Sequence, residues 1–191
     1  MRILGPRLTA PAVAAAAMLL AILPGQQAAA GLFDAFGDSY QPQRVAGRHL
    51  VAMPAGYEPG SVIVQFSQRR LYFVLPQQRA ISYPIGAPKG DARWSGTTYV
   101  SEKRVNPGWT PTPDMRRENP DLPAFVPGGH PRNPLGVRAL YLGKTTYRIH
   151  GTDAPWTVGQ EVSHGCVRML NQDVADLYQR VPVGTRVVVM W

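Results

Sequence analysis

The chain has 191 residues, room for one domain with a sizeable core and too few for two large ones. Glycine and proline number 19 each, which favours many turns over long helices, while a hydrophobic share of 45% excludes wholesale disorder. The formal net charge is +8, and a single cysteine, Cys166, excludes a disulfide-stapled framework and any multi-cysteine metal centre.

Residues 1–30 read as a secretory signal peptide. Arg2 and Arg7 make a basic start, Ala12 to Leu23 is an apolar run, and Pro24, Gly25 and Ala28-Ala29-Ala30 supply a small-residue cleavage region. The run falls short of the ~20 residues that a membrane span needs. Removing the two leader arginines lowers the net charge from +8 to +6 on the mature chain. The remaining bases are scattered in doublets such as Arg69-Arg70, Lys103-Arg104 and Arg116-Arg117. That pattern speaks against a nucleic-acid partner and leaves an unspecific attraction to anionic surfaces. Membrane contact after cleavage is expected to be peripheral or none.

Residues 31–59 show little periodicity and read as an N-terminal arm or linker, with the globular domain at 60–191. Val62 to Phe66, Leu71 to Leu75 and Ala80 to Tyr83 are β-branched and aromatic runs separated by about four polar residues, the pattern of a β-meander. Thr97 to Glu102 is a further candidate strand. Between Pro107 and Pro134, eight of 28 residues are proline, too many for a sheet or helix interior. Trp109, Met115, Leu122 and Phe125 give this stretch apolar anchors, so it reads as an ordered flap. Ala139 to Leu142 and Thr145 to His150 are predicted to form a tight hairpin across Gly143-Lys144. Asn171 is the predicted N-cap of a helix over 172–180, with Val174, Leu177, Tyr178 and Val181 as its core stripe. Arg186 to Trp191 closes the chain as a strand.

Chemistry concentrates in Tyr147-Arg148-Ile149-His150-Gly151 and Ser163-His164-Gly165-Cys166-Val167-Arg168-Met169. Period-2 geometry puts Arg148 and His150 on one face of the first segment and Cys166 and Arg168 on one face of the second. Each segment then buries apolar side chains and presents a reactive group beside an arginine. A free thiol with a pKa of about 8.5 is mostly protonated at neutral pH, so a nucleophilic cysteine needs help from a neighbouring base. His150, from another strand, and His164, two residues away, are both candidates. Gly165 allows close backbone approach and leaves amide N–H groups for an oxyanion. The competing readings are a buried structural thiol, and a zinc set of His150, His164 and Cys166, which lacks the short fixed spacings of known zinc motifs.

His150-Gly151 followed by Ser163-His164-Gly165-Cys166-Val167-Arg168 closely resembles the HG…[S/T]HGC signature of the YkuD-type L,D-transpeptidases. The resemblance runs from about Ser61 to Trp191, taking in Arg70-Leu71-Tyr72 and Val181 to Val187. It implies a mostly β fold, a sandwich of curved mixed sheets with one or two helices. It implies cysteine acyl transfer on peptidoglycan stem peptides, with Cys166 as nucleophile, His150 as general base and the Gly151 carbonyl orienting that base. Ser163, His164, Gly165 and the Cys166 amide correspond to the surroundings of the thiol and oxyanion. Arg168 matches a position that helps recognise the donor stem, and Arg148, Tyr141 and Trp156 are further candidates for substrate contact. The proline-rich segment falls where similar enzymes carry a capping loop. No cofactor or metal is expected. The expected place is the periplasm or cell envelope, and the acceptor is another stem or an envelope protein. A hydrolase using the same cysteine and a non-catalytic wall-binding module are the alternatives.

Overall fold

The computed structural model describes residues 47–191; the expected signal peptide and residues 31–46 of the expected arm lie outside the described residues. In chain order the elements are β1 (His49–Ala52), β2 (Val62–Gln65), β3 (Arg70–Leu75), β4 (Arg79–Pro84), β5 (Ala87–Pro88), β6 (Gly96–Val105), α1 (Pro113–Glu118), β7 (Arg138–Leu142), β8 (Arg148–His150), β9 (Glu161–Ser163), β10 (Val167–Arg168), α2 (Asn171–Arg180) and β11 (Arg186–Met190). The fold is mostly β with two helices.

β2, β3 and β4 form the expected antiparallel meander, in register from Val62 opposite Phe73 and from Leu71 opposite Tyr83. Gln77 and Gln78, both at positive φ, make the tight turn between β3 and β4. The closing strand β11 inserts beside β2 in parallel and beside β6 antiparallel, so the last residues of the chain complete the middle of the sheet. The full order is β1-β4-β3-β2-β11-β6-β7-β8-β10.

β6 is the strand on which this sheet turns. Gly96 to Tyr99 pair with β11, whereas Val100 to Val105 pair with β7, with a register shift between Val100 and Glu102. Such an irregularity bends a strand and strengthens its twist. The two halves curl over one apolar core that includes Val64, Phe66, Leu71, Tyr83, Leu140, Leu142, Ile149, Val167 and Met169. α2 contributes Val174 and Leu177 to it, with Val181 just beyond its end. Three of the four predicted stripe residues are thus fully buried, and Tyr178 packs at the edge.

Three sequence expectations are corrected. The arm is not loose throughout, since His49–Ala52 pairs with β4 from His49 opposite Ser82 to Ala52 opposite Arg79. The hairpin after β7 is wider than Gly143-Lys144 alone: β8 resumes only at Arg148, and Leu142 N–H reaches the Tyr147 carbonyl at 3.1 Å. Asn171 does not cap α2. Leu170 occupies the cap position without a side-chain bond, and Asn171, already helical, uses its carboxamide elsewhere.

Candidate active site

β8 and β10 run parallel, with Val167 beside Ile149 and Arg168 beside His150. Ile149, Val167 and Met169 are fully buried in the core, so strand alternation turns Arg148, His150, Cys166 and Arg168 to the other face. Extending the register by one residue sets Cys166 opposite Arg148. The face anticipated from the sequence is therefore assembled.

β10 is only two residues long and is held by what surrounds it. Gly86 exchanges both backbone bonds with Arg168, at 2.8 and 3.0 Å. β5 pairs with β9 just upstream, in a small parallel sheet of its own. Between β9 and β10, Ser163 Oγ donates to the Cys166 carbonyl at 2.5 Å. Gly165 takes φ +113°, and a Cβ there would collide with the Tyr147 ring, so glycine is required on two grounds. The indole N–H of Trp94 donates to the Gly165 carbonyl at 2.8 Å. Trp94 is separated from this loop by some seventy residues, and no motif in the sequence marks it.

His150 is buried, and its Nδ1–H donates to the Gly151 carbonyl at 2.6 Å. A carbonyl can only accept, so the ring proton sits on Nδ1 and Nε2 keeps its lone pair. Gly151 is itself fixed, because a Cβ there would strike Asn171 Oδ1. That oxygen accepts from Thr152 N–H at 3.0 Å and Val137 N–H at 3.3 Å, while Asn171 Nδ2 donates to the Thr152 carbonyl at 2.9 Å. The residue expected to cap α2 thus clamps the loop that follows His150.

Burial pulls the His150 pKa down to about 3, and the neighbouring Arg168 and Arg148 charges push the same way; the Gly151 and Pro134 carbonyls act against them. Burial pushes the Cys166 thiol up, while the main chain and guanidinium of Arg148, and the charge of Arg168, act to lower it. Both groups are consequently neutral at rest.

Arg148 and Arg168 flank the thiol differently. Arg148 donates to the Thr146 carbonyl at 3.0 Å and lies over the Tyr141 ring, 5.0 Å from its centroid. Arg104 lies over the same ring at 5.3 Å. Arg168 donates to Thr157 Oγ1 at 2.9 Å. The Nε atoms of both arginines are buried with no hydrogen-bond partner. Trp156 is 66% exposed, which removes simple packing as its role.

His164 engages a different element. Its Nε2 meets Glu118 Oε2 of α1 at 2.8 Å, which ties the proline-rich segment to the loop carrying Cys166. That segment is ordered as an exposed short helix and a Trp109–Val126 bridge. Phe125, one of its expected anchors, is exposed. Val126 and Asn133 anchor instead, the latter donating to the Pro107 and Pro127 carbonyls. Among the described residues, no three His, Cys, Asp or Glu side chains gather as metal ligands. The zinc set considered from the sequence is not assembled.

The YkuD family, described as an L,D-transpeptidase catalytic domain, matches residues 59–189. The probable L,D-transpeptidase YbiS of Escherichia coli strain K12 is 43% identical over 141 residues, covering 71% of this chain and 45% of that protein. The chain spans less than half the length of curated relatives such as YbiS. The catalytic domain of the Enterococcus faecium L,D-transpeptidase has a TM-score of 0.54 at 20% identity, over 71% of this chain and 100% of that one; the likeness is one of fold. A Brucella melitensis structure named a probable carnitine operon oxidoreductase has a TM-score of 0.52 at 40% identity, over 76% of this chain and 94% of that one.

Proposed function

The chain belongs to the YkuD family of L,D-transpeptidase catalytic domains, and from that premise we propose that it is an exported enzyme that remodels peptidoglycan through a Cys166 thioester. The reading rests above all on Cys166 and His150 sharing one face of the β8–β10 pair, backed by buried Ile149 and Val167.

With both groups neutral at rest, a preformed thiolate–imidazolium pair is disfavoured. His150 Nε2 instead takes the thiol proton as Sγ attacks, the general-base mode, which supplies on the order of 10²–10⁴-fold. The attacked group is the carbonyl of the third residue of a tetrapeptide stem. A C–S bond forms, the carbonyl oxygen becomes an oxyanion, and collapse breaks the bond to the terminal D-alanine. Its nitrogen leaves as the amine, taking the proton back from His150. An amine of a second stem, or of an envelope protein, then attacks the thioester and frees the thiol.

The guanidinium groups of Arg148 and Arg168, on the same face as Cys166, suit these side chains to carboxylates of the donor, because a guanidinium is a fork of fixed donors. Tyr141 supports Arg148 in that role, and exposed Trp156 offers an apolar contact at the rim. We assign the proton to His150 and leave His164 to the fastening of the proline-rich flap. The flap then shields the acyl-enzyme from water. The site of action is the cell envelope, where cross-linking bears on cell shape.

Incubation with purified disaccharide-tetrapeptide, followed by product mass analysis, tests the proposal. Cross-linked or exchanged products with loss of D-alanine are expected, and they should vanish in Cys166→Ala. Exclusively shortened stems would point to a hydrolase with the same nucleophile. Binding to sacculi with no turnover would overturn the enzymatic reading.

A further inference from the structure

Trp94 precedes β6 and lies outside every motif of the site, yet it is built into the loop that carries the nucleophile. Besides donating to the Gly165 carbonyl at 2.8 Å, its ring stacks on Tyr147, with centroids 4.9 Å apart and planes at 12°. It meets Phe66 of the core edge-on at 6.3 Å and 72°. Tyr147 in turn occupies the space that a Cβ at Gly165 would need. One aromatic stack thus holds the residue before Cys166 by its carbonyl and by its α-carbon.

A peptide unit is planar and trans, so its C=O and N–H point in opposite directions. Pinning the Gly165 oxygen to the indole therefore turns the Cys166 N–H away from the aromatic stack. That N–H has no acceptor among the described residues. The following peptide is pinned as well, by the Ser163 hydroxyl on the Cys166 carbonyl. Cys166 is fixed through both flanking peptides while its own N–H stays unused. A donor held so, and left unpaired, is what stabilisation of a developing oxyanion requires.

We propose that Trp94 is a positioning residue that aims the Cys166 amide N–H at the oxyanion of the acyl-transfer transition state. The inference rests on Cys166 being the nucleophile. Trp94 forms and breaks no bond in the reaction; it sets the direction of one dipole.

Two reagents separate that role from general support of the loop. Iodoacetamide alkylates sulfur by displacing iodide at a saturated carbon and forms no oxyanion. A carbapenem acylates the same sulfur by opening its β-lactam carbonyl, which does. Placing β-(3-benzothienyl)alanine at position 94 preserves the ring and removes only the N–H donor; Trp94→Phe is the second variant, with folding checked by circular dichroism. Carbapenem acylation is expected to slow by about tenfold or more, short of the 10²–10³ that losing an oxyanion donor outright costs. Alkylation should stay within about twofold, since it follows thiolate character alone. In the stem-transfer assay kcat should fall with KM unchanged. Unchanged acylation overturns the inference, as does a parallel loss in both reactions or loss of fold in both variants. A wild-type protein that forms no carbapenem adduct would instead bring down the nucleophile assignment beneath it.

Discussion

His150 shows what a single burial does to a site. An imidazole with a pKa drawn from 6.5 to about 3 is a weak base at equilibrium. It is also a ring whose proton is assigned, because the Gly151 carbonyl holds the Nδ1–H. The same shift couples acidity to stability. The unfolded chain takes up the proton near 6.5, the folded chain only near 3, so between these values the unfolded state binds more protons. Stability is then fully present above about pH 6.5 and falls on acidification, by up to about 1.4 kcal/mol per pH unit. Asp176, held at about 2 by Arg180, adds its own loss only below the ordinary carboxylate value of 3.8. Burial raises the Asp173 carboxyl and the His164 hydrogen bond lowers that of Glu118, so both also act between pH 4 and 6.5, and the histidine is read as the difference between the urea-unfolding profiles of wild type and a His150 variant. His150→Asn should give the flatter profile, and parallel profiles for the two proteins would refute the assignment.

At the scale of elements, much was readable because alternation and stripes are local. The meander β2–β4, the reactive face of β8 and β10, and the α2 stripe all rest on residues two to four apart along the chain. Asn171 was misread for the same local reason. An Asn before an apolar helix is ordinarily a cap, but here a loop from β8 passes close enough to claim its carboxamide. Asn171→Ala strands two backbone N–H groups and one carbonyl beside His150. Each unpaired buried group costs about 1–3 kcal/mol before relaxation, so thermal unfolding should drop by several degrees and transfer activity with it. Asn171→Asp keeps the acceptor oxygen and loses only the Nδ2 donor, and it should cost less. Equal melting temperatures for wild type and Asn171→Ala would remove the clamp from the account.

Across the whole molecule, the boundary at residue 60 suggested by composition cuts through a working part of the sheet. β1 covers the edge of β4. Met53 and Val51 pack with Ile63, Val74 and Ala80 on the outer face. Arg48 pairs with Asp176 of α2 at 3.3 Å. A chain starting at residue 60 should unfold at lower temperature and aggregate more readily than one starting at 47, because it bares a strand edge and an apolar patch. Matched melting and sedimentation behaviour in the two would show β1 to be dispensable. The sequence alone carried the family signature, the strand pattern and the common face of Cys166 and His150, since each depends on residue type and short-range periodicity. Only the tertiary structure decided that Trp94 bonds to the Gly165 carbonyl, that Asn171 holds the Thr152 backbone, that His164 is bound to Glu118, and that the final strand lies mid-sheet. Those contacts join residues that are mostly tens of positions apart, and nothing local in a sequence encodes which distant backbone group a side chain will meet once the sheet has curled.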